Sequence, residues 1–216
     1  MQSVRRFFAK IARWLRPEPT EKKLPEPIET LAKSEPMGSK NHKIRIAEYC
    51  YLLAIKTGLT EEEAELIRQA APYYDIGKTG INGAILNKPG RLSPQEFAVV
   101  KDHVQIGYEL LKDSGHKVLQ AAAAMARDHH EKYDGTGYPR GLEGEQIHLY
   151  GRIAAIADVF DAMGFDRVYQ NASPTEEILA YFRDQQGKHF DPMLVEVFLD
   201  SIDEFLQIRE QYKDAA

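Results

Sequence analysis

The sequence predicts an all-α protein, and three observations support this prediction. Helix-capping patterns recur along the chain, apolar residues return at the spacing of one helical face, and no segment shows the alternation or the hairpin turn of paired β-strands. The 216 residues, 43% hydrophobic and 28% charged, suffice for one sizeable core and exclude a wholly disordered chain. We therefore expect one helical domain with an appendage.

Residues 1–16 predict a basic amphipathic helix. Apolar side chains recur at positions 4, 7, 8, 11, 14 and 15, and five basic residues are interleaved with them without any acidic one. Such a helix suits an anionic membrane surface or a groove on a partner protein. The alternatives are a helix packed on its own domain and a flexible tail. The segment lacks the uninterrupted apolar run of a signal peptide.

Residues 17–37 predict a linker. Five of the 11 prolines fall here, with many charged residues and few large apolar ones, which is typical of an extended connection. The folded body should therefore span residues 38–216. No stretch of the chain approaches the roughly 20 apolar residues that a membrane-spanning helix needs. The single cysteine, Cys50, excludes a disulfide framework and indicates a reducing cytoplasm.

The body divides into helices whose ends are marked in the sequence. A first helix over about residues 40–57 carries a stripe with Ile46, Cys50 and Leu53, and Gly58 can cap it. The alanine-rich run 121–126 suits tight packing at the centre of a bundle. Later helix starts are marked by three capping boxes, the last two with proline at the first helical position, and by an Asp-Pro pair that opens a last helix: Thr60 with Glu63, Ser93 with Glu96, Ser173 with Glu176, and Asp191-Pro192.

The charge of the body excludes one class of partner. Residues 1–16 hold five of the 28 basic residues and none of the 33 acidic ones, so the acidic excess falls on the rest of the chain. Double-stranded nucleic acid is bound largely by neutralising its phosphates, and so acidic a body is a poor surface for it. Any phosphate chemistry must therefore depend on a local site.

Histidines near helix ends and an aspartate in an apolar helix are the candidates for chemistry. Asp158 lies among apolar residues of a predicted helix, and a buried carboxylate needs a cation, a hydrogen-bond donor or a metal. Imidazoles and carboxylates that converge from several helices form a site suited to iron, manganese or zinc. Taken singly, each such residue is better explained by surface exposure or capping. We assign His116, His148 and His189 to such structural roles.

Five segments occur in a fixed order along the body: DIGKTGI, ILNKPGRL, FAVVKDHVQIG, DHHEKYDGTGYPRGLEG and RIAAIADVFDAM. Together they resemble the HD-GYP family, a branch of the HD superfamily, from about His42 to Phe198, and they include the signature Gly137-Tyr138-Pro139. The resemblance implies an HD-superfamily helical bundle, here preceded by the linker and the basic helix. It also implies hydrolysis of cyclic di-GMP with two or three metal ions, commonly iron or manganese.

The resemblance also implies which residues bind metal and substrate. Lys78 matches a lysine that contacts phosphate, and Arg167 matches a substrate-binding arginine. Asp75 and Lys78 are the implied catalytic residues. The implied ligands of the first metal position are His103, His129, His130 and a bridging Asp75, and those of the second are His42, the same Asp75 and Asp158.

The chain departs from the family at three positions. Tyr74 replaces the histidine of the HD pair, Gly38 replaces a glutamate of the trimetal members, and Gln170 replaces a basic residue. A phenol has a pKa of about 10 and must lose its proton to ligate well, which only a strongly Lewis-acidic ion such as ferric iron favours at neutral pH. Tyr74 is then a ligand, a filler or a hydrogen-bond donor to bound water, and we favour the filler. We expect one or two divalent ions, iron or manganese.

Three functions are compatible with these residues. The first is a metal-dependent phosphodiesterase, of full, weak or lost activity, for cyclic di-GMP or its linear product pGpG. The second is a metal-bound cyclic-dinucleotide sensor. The third is an interaction protein whose GYP loop, otherwise a rigid turn with a packed aromatic, contacts GGDEF-type domains. The histidine cluster and Lys78 favour catalysis, whereas Tyr74 and Gln170 oppose it. We expect a cytoplasmic protein, with residues 1–16 at the inner membrane surface.

Overall fold

The computed structural model describes residues 39–165 and 172–214, together with positions 26, 28, 30 and 31. Within these ranges the chain is helical, with isolated bridges but no named β-strand, which confirms the all-α prediction. The α-helices are α1 Lys40–Lys56, α2 Glu61–Ala70, α3 Gly83–Leu86, α4 Pro94–Lys101, α5 His103–Leu111, α6 Lys117–Asp128, α7 Leu149–Gly164, α8 Thr175–Asp184, α9 Pro192–Asp200 and α10 Ile202–Gln211. Short 3-10 helices cover Ala71–Tyr73, Ile76–Gly80 and Gly144–Gln146.

Two helices form the centre of the bundle. Helix α1 packs against α2, α7, α9 and α10, and α6 packs against α2, α5 and α7. The predicted stripe on α1 is buried, and the alanine-rich part of α6 lies in the core, where small side chains let neighbouring helices approach closely. Between α1, α7, α9 and α10 lie Tyr49, Phe160, Phe198 and Phe205, whose rings meet edge-to-face or stacked at 4.9–5.5 Å.

The predicted helix ends are confirmed at three of four places. Thr60 and Ser93 form capping boxes with Glu63 and Glu96, and Asp191 accepts hydrogen bonds from the first turn of α9. The third capping box, Ser173 with Glu176, is wrong. Helix α8 begins at Thr175, because Pro174 has an extended backbone (φ −54°, ψ 147°) and keeps Ser173 outside the first turn. Helix α9 is also not the last helix, since α10 follows it after Ser201.

Most of the predicted amino-terminal segments lie outside the described residues. This applies to the basic helix over 1–16 and to most of the linker over 17–37. The described linker positions Glu26, Ile28, Thr30 and Leu31 are helical, and Ile28 and Leu31 pack, partly buried, on the core. None of the described helices combines the length and the apolar character that crossing a membrane requires.

The turn that carries Asp75 and Lys78 lies directly on helix α5. At Gly77 in this turn, an added Cβ would lie 1.9 Å from the carbonyl oxygen of His103 and 2.5 Å from the backbone nitrogen of Gly107. Only glycine allows the two backbones to approach so closely. The contact therefore fixes the turn next to the first residue of α5, which is His103.

We predict that Gly77→Ala destabilises the fold strongly, because the backbone of α5 must move away from the turn. The expected loss is about 1–3 kcal/mol of unfolding free energy or more, measured by urea denaturation. Gly83→Ala is the matched control, since its added Cβ would meet its nearest neighbour at 3.7 Å. That control should change stability by less than about 1 kcal/mol. Equal effects of the two substitutions would contradict the close contact.

Candidate metal centre

Three imidazoles converge at the junction of α5 and α6. His103 is the first residue of α5, His129 is the C-cap of α6, and His130 follows it. One ligand nitrogen from each lies within 4.8 Å of the others. Because α4 ends at Lys101 and α5 begins at His103, the chain bends between them.

Backbone carbonyls determine which ring nitrogens face the centre. Nδ1 of His103 lies 2.6 Å from the carbonyl oxygen of Val100, and Nδ1 of His129 lies 3.0 Å from those of Met125 and Ala126. A carbonyl only accepts, so each Nδ1 carries the proton in the neutral ring and each Nε2 presents a lone pair. These two Nε2 atoms are 3.4 Å apart. Two nitrogen lone pairs that close favour a cation between or beside them.

Asp75 adds a carboxylate oxygen to these nitrogens. Its Oδ1 lies 3.3 Å from Nε2 of His103 and 3.6 Å from Nε2 of His129. This oxygen is buried and accepts no hydrogen bond from the described residues, while Oδ2 accepts from the Lys78 ammonium. Burial would raise the pKa of the carboxyl, but the Lys78 ammonium holds the pKa of Asp75 well below its usual range. A buried anionic oxygen beside two lone pairs fits a divalent metal ion.

His130 completes the centre on the side of the predicted GYP motif. Its ring stacks on Tyr138 with centroids 4.8 Å apart and an interplanar angle of 23°. Burial holds the pKa of His130 well below its ordinary value, so the ring is neutral and able to ligate. Tyr138 of Gly137-Tyr138-Pro139 therefore contacts the centre, while Pro139 is exposed.

The predicted second metal position contains a hydrogen-bonded group centred on Tyr74. The buried Tyr74 hydroxyl donates to Oδ1 of Asp158 at 2.6 Å and lies 3.5 Å from Nε2 of His42. Burial, and then the negative charges of Asp158 and Asp75, raise the pKa of Tyr74 well above its ordinary value. The phenol is therefore protonated at neutral pH, which makes it a poor metal ligand. A buried phenol thus occupies this position and donates a hydrogen bond to a candidate ligand, Asp158.

Two further residues, Asp161 and Arg45, which the sequence interpretation missed, hold His42 on its Nδ1 side. Nδ1 of His42 lies 2.7 Å from Oδ2 of Asp161, and Arg45 contacts both oxygens of that carboxylate at 2.6 and 3.1 Å. Burial would raise the pKa of Asp161, but hydrogen bonds from His42 and Arg45 lower it. Asp161 lies three residues after Asp158 on α7, and Arg45 lies three residues after His42 on α1. This spacing is the sequence signal that could have identified them.

The structure thus brings the predicted ligands together in two adjoining groups. His103, His129, His130 and Asp75 form the first, and His42 and Asp158 meet at Tyr74 in the second. Lys78 lies at the centre, in contact with Asp75. The substrate-binding candidate Arg167, with Gln170 and Gly38, lies outside the described residues.

Sequence comparisons relate this chain to known proteins. Residues 26–194 match the family described as HD domain. The chain is 46% identical over 173 residues to a 3'3'-cGAMP-specific phosphodiesterase of Vibrio cholerae, covering 80% of this chain and 33% of the relative. It is 44% identical over 172 residues to a cyclic di-GMP phosphodiesterase response regulator of Xanthomonas campestris, covering 80% and 46%. The chain therefore spans a third to a half of the length of these curated relatives.

Solved structures share the fold at lower sequence identity. A cyclic GMP-AMP-specific phosphodiesterase of V. cholerae aligns with a TM-score of 0.58 and 22% identity, over 88% of this chain and 51% of that one. The HD domain of a phosphodiesterase of L. monocytogenes, in complex with cyclic-di-AMP, aligns with a TM-score of 0.59 and 18% identity, over 88% and 99%. These likenesses show that the helical bundle is that of HD-domain proteins.

Proposed function

This chain belongs to the HD domain family, in its HD-GYP branch, and we propose that it is a metal-dependent phosphodiesterase that acts on the cyclic dinucleotide cyclic di-GMP or on its linear product pGpG. The observation that carries the proposal is the buried Oδ1 of Asp75, which no described residue hydrogen-bonds and which faces two imidazole lone pairs. The names of the relatives support the substrate class, since they refer to cyclic di-GMP and 3'3'-cGAMP.

His103, His129, His130 and Asp75 would hold the first ion, and iron or manganese suits their nitrogen and oxygen donors. A bound ion would supply Lewis acidity toward a phosphate oxygen and toward a water molecule. The protein contributes the positions of the donors. The carbonyls behind His103 and His129 keep their Nε2 atoms turned inward, and the Lys78 ammonium balances the charge of Asp75.

Lys78 and Arg167 would bind the phosphates of the substrate. Lys78 is only partly exposed, and its ammonium lies on Oδ2 of Asp75, on the other side of the carboxylate from the imidazoles. A phosphate next to the centre would lie within reach of this cation, and charge-assisted hydrogen bonds are the stronger kind. The role of Arg167 follows from the family resemblance alone.

The second position, built from His42, Asp75 and Asp158, would bind an ion only weakly. Asp158 already accepts the Tyr74 proton, and the phenol lies where the family has a further imidazole. An ion would have to displace this hydrogen bond, and it would have one ligand fewer than in a site with an imidazole at position 74. We therefore propose one tightly bound ion in this protein.

Tyr74→His should raise the metal content from about one ion per chain to about two, because it restores an imidazole donor beside Asp158 and His42. Elemental analysis of protein purified without chelators measures this. Tyr74→Phe is the matched control: it removes the hydroxyl, restores no donor and should leave about one ion. Two tightly bound ions in the unaltered protein would contradict the assignment.

The binding-module function is the second candidate, and the Tyr74–Asp158 hydrogen bond favours it. A centre with one tightly bound ion would retain affinity for a phosphodiester and lose the second ion that polarises it in dimetal sites. We also propose that Gly137-Tyr138-Pro139 contacts GGDEF-type domains, since Pro139 is exposed. The sensor and the interaction protein would have the same fold as the enzyme but would not turn over the dinucleotide.

The enzyme should release pGpG or GMP from cyclic di-GMP when it is loaded anaerobically with Fe²⁺ or Mn²⁺. Chromatography of the products measures turnover, with 3'3'-cGAMP as a second substrate. Asp75→Asn should lower the rate by at least about 100-fold, since it removes the anionic oxygen at the centre. Thermal stabilisation by the dinucleotide without product would instead identify the sensor. If the protein neither forms product nor is stabilised by the dinucleotide, both functions are contradicted.

We also propose that the protein lies in the cytoplasm and that residues 1–16 bring it to the inner membrane surface. The five basic residues and the interleaved aromatic and aliphatic ones support this. Deletion of residues 1–16 should abolish binding to anionic lipid vesicles, measured by co-sedimentation, and leave the metal content unchanged. Neutral vesicles serve as the control. Vesicle binding that survives the deletion would overturn the membrane proposal.

A further inference from the structure

A buried glutamate holds the turn that carries the GYP motif. Glu131 directly follows His130 and is only 2% exposed. Its Oε1 accepts the backbone N–H of Arg140 at 2.8 Å, and its Oε2 accepts that of Leu142 at 3.1 Å. A carboxylate that accepts two backbone N–H groups forms charge-assisted hydrogen bonds, which are stronger than neutral ones. Glu131 therefore fixes residues 137–142, the signature turn, relative to His130.

The signature turn lies directly on the chain next to His130. The backbone N–H of Tyr138 donates to the carbonyl oxygen of His130 at 3.1 Å. An added Cβ at Gly137 would lie 2.2 Å from the backbone nitrogen of Lys132 and 2.5 Å from Cα of Glu131. This close approach places the Tyr138 ring flat on the His130 ring. The position of the imidazole thus depends on a turn whose far end Glu131 holds.

A second buried carboxylate stands on the other side of the two histidines. Asp128 is 1% exposed and directly precedes His129. It accepts from the Arg140 guanidinium at 2.6 Å and from the backbone N–H of His148 at 3.0 Å. His148 is the N-cap of α7, the helix that carries Asp158. Asp128 therefore links the signature turn and the start of α7 to the end of α6.

We propose that Glu131 is a positioning residue for His130 and acts through Tyr138, with Asp128 holding the same turn through Arg140. Burying two carboxylates costs desolvation free energy, which an ordinary surface turn would not require. Here they flank the two adjacent imidazoles and hold an aromatic ring on one of them. The inference rests on the metal site of the proposed function and does not depend on turnover.

Glu131→Gln tests this inference in the full chain. The substitution keeps the size of the side chain but directs an NH₂ group at one of the two backbone N–H donors. Co²⁺ is the probe, since its visible absorption reports ligand geometry and its titration gives the dissociation constant. We expect an altered spectrum and a Kd raised about 10- to 100-fold, the usual range for partners behind metal ligands.

Glu48→Gln is the matched control. Glu48 is also a buried glutamate, on α1, and pairs with Arg68 at 3.1 Å, away from the histidine cluster. It should change the melting temperature but leave the Co²⁺ spectrum and the Kd within about twofold of the unaltered protein. A Glu131→Gln protein that behaves like this control would overturn the inference.

A double variant tests the route through the tyrosine. Tyr138→Leu should raise the Kd by a similar factor, and Glu131→Gln combined with it should cost no more than the larger single effect, because both changes break one link. If the two effects multiply instead, Glu131 does not act through Tyr138, and the proposed route is overturned.

Hydrogen exchange keeps the inference testable should Glu131→Gln fail to fold. Coupling between two sites is reciprocal, so Co²⁺ binding to the unaltered chain should slow exchange of the Arg140 and Leu142 amides. Unchanged exchange there would overturn the inference. Coupling without hydrolysis of cyclic di-GMP would count only against the enzyme, and hydrolysis without coupling would count only against the positioning role.

Discussion

The site depends on one electrostatic arrangement, the buried carboxylate of Asp75 between a cation and two imidazole lone pairs. Lys78 neutralises one oxygen, and the other faces His103 and His129. Backbone contacts hold each component: carbonyls three or four residues earlier accept from the Nδ1 atoms of the two rings, and the Gly77 contact places the turn on α5. The donor set is therefore positioned by the fold itself, and such preorganisation lets a metal site bind an ion without first rearranging its ligands.

The single substitution at position 74 changes one half of the centre and leaves the other half intact. A phenol in place of an imidazole replaces an acceptor with a donor, and the nearest acceptor is Asp158. The result is two neighbouring hydrogen-bonded groups, Tyr74 with Asp158 and His42 with Asp161 and Arg45, in which the Tyr74 hydroxyl lies 3.5 Å from Nε2 of His42. The Asp158 carboxylate thus has a hydrogen-bond donor without a metal. By contrast, Oδ1 of Asp75 accepts no hydrogen bond from the described residues. The two metal positions therefore differ in whether their carboxylate already has a hydrogen-bond donor.

Much of the fold could be predicted because helix ends are local. The caps at Thr60, Ser93 and Asp191 follow from residues within one turn, whereas Ser173 failed because Pro174 remains extended. The convergence of residues 75, 103 and 129 could be predicted only through the family resemblance, since spacing alone does not bring them together. Tyr74 was predicted mainly as a filler. Its partner could not be predicted, because a hydroxyl bonds to whichever acceptor tertiary packing places nearby.

Contacts made by buried charges were the least predictable part of the site. Glu131 and Asp161 stand in the recognised motifs, but their partners are backbone amides after a turn and an arginine on another helix. A carboxylate without a partner in the core would destabilise the fold, so each had to find one. The contacts of Glu131 and Asp161 connect candidate ligands to the rest of the bundle. They link His130 to the signature turn and His42 to α7. Under the proposed function, metal binding at this centre would therefore depend on the neighbouring anions that position the ligands as well as on the ligands themselves. A chain that keeps those anions has kept the means to orient a metal, whether or not Tyr74 allows a second ion.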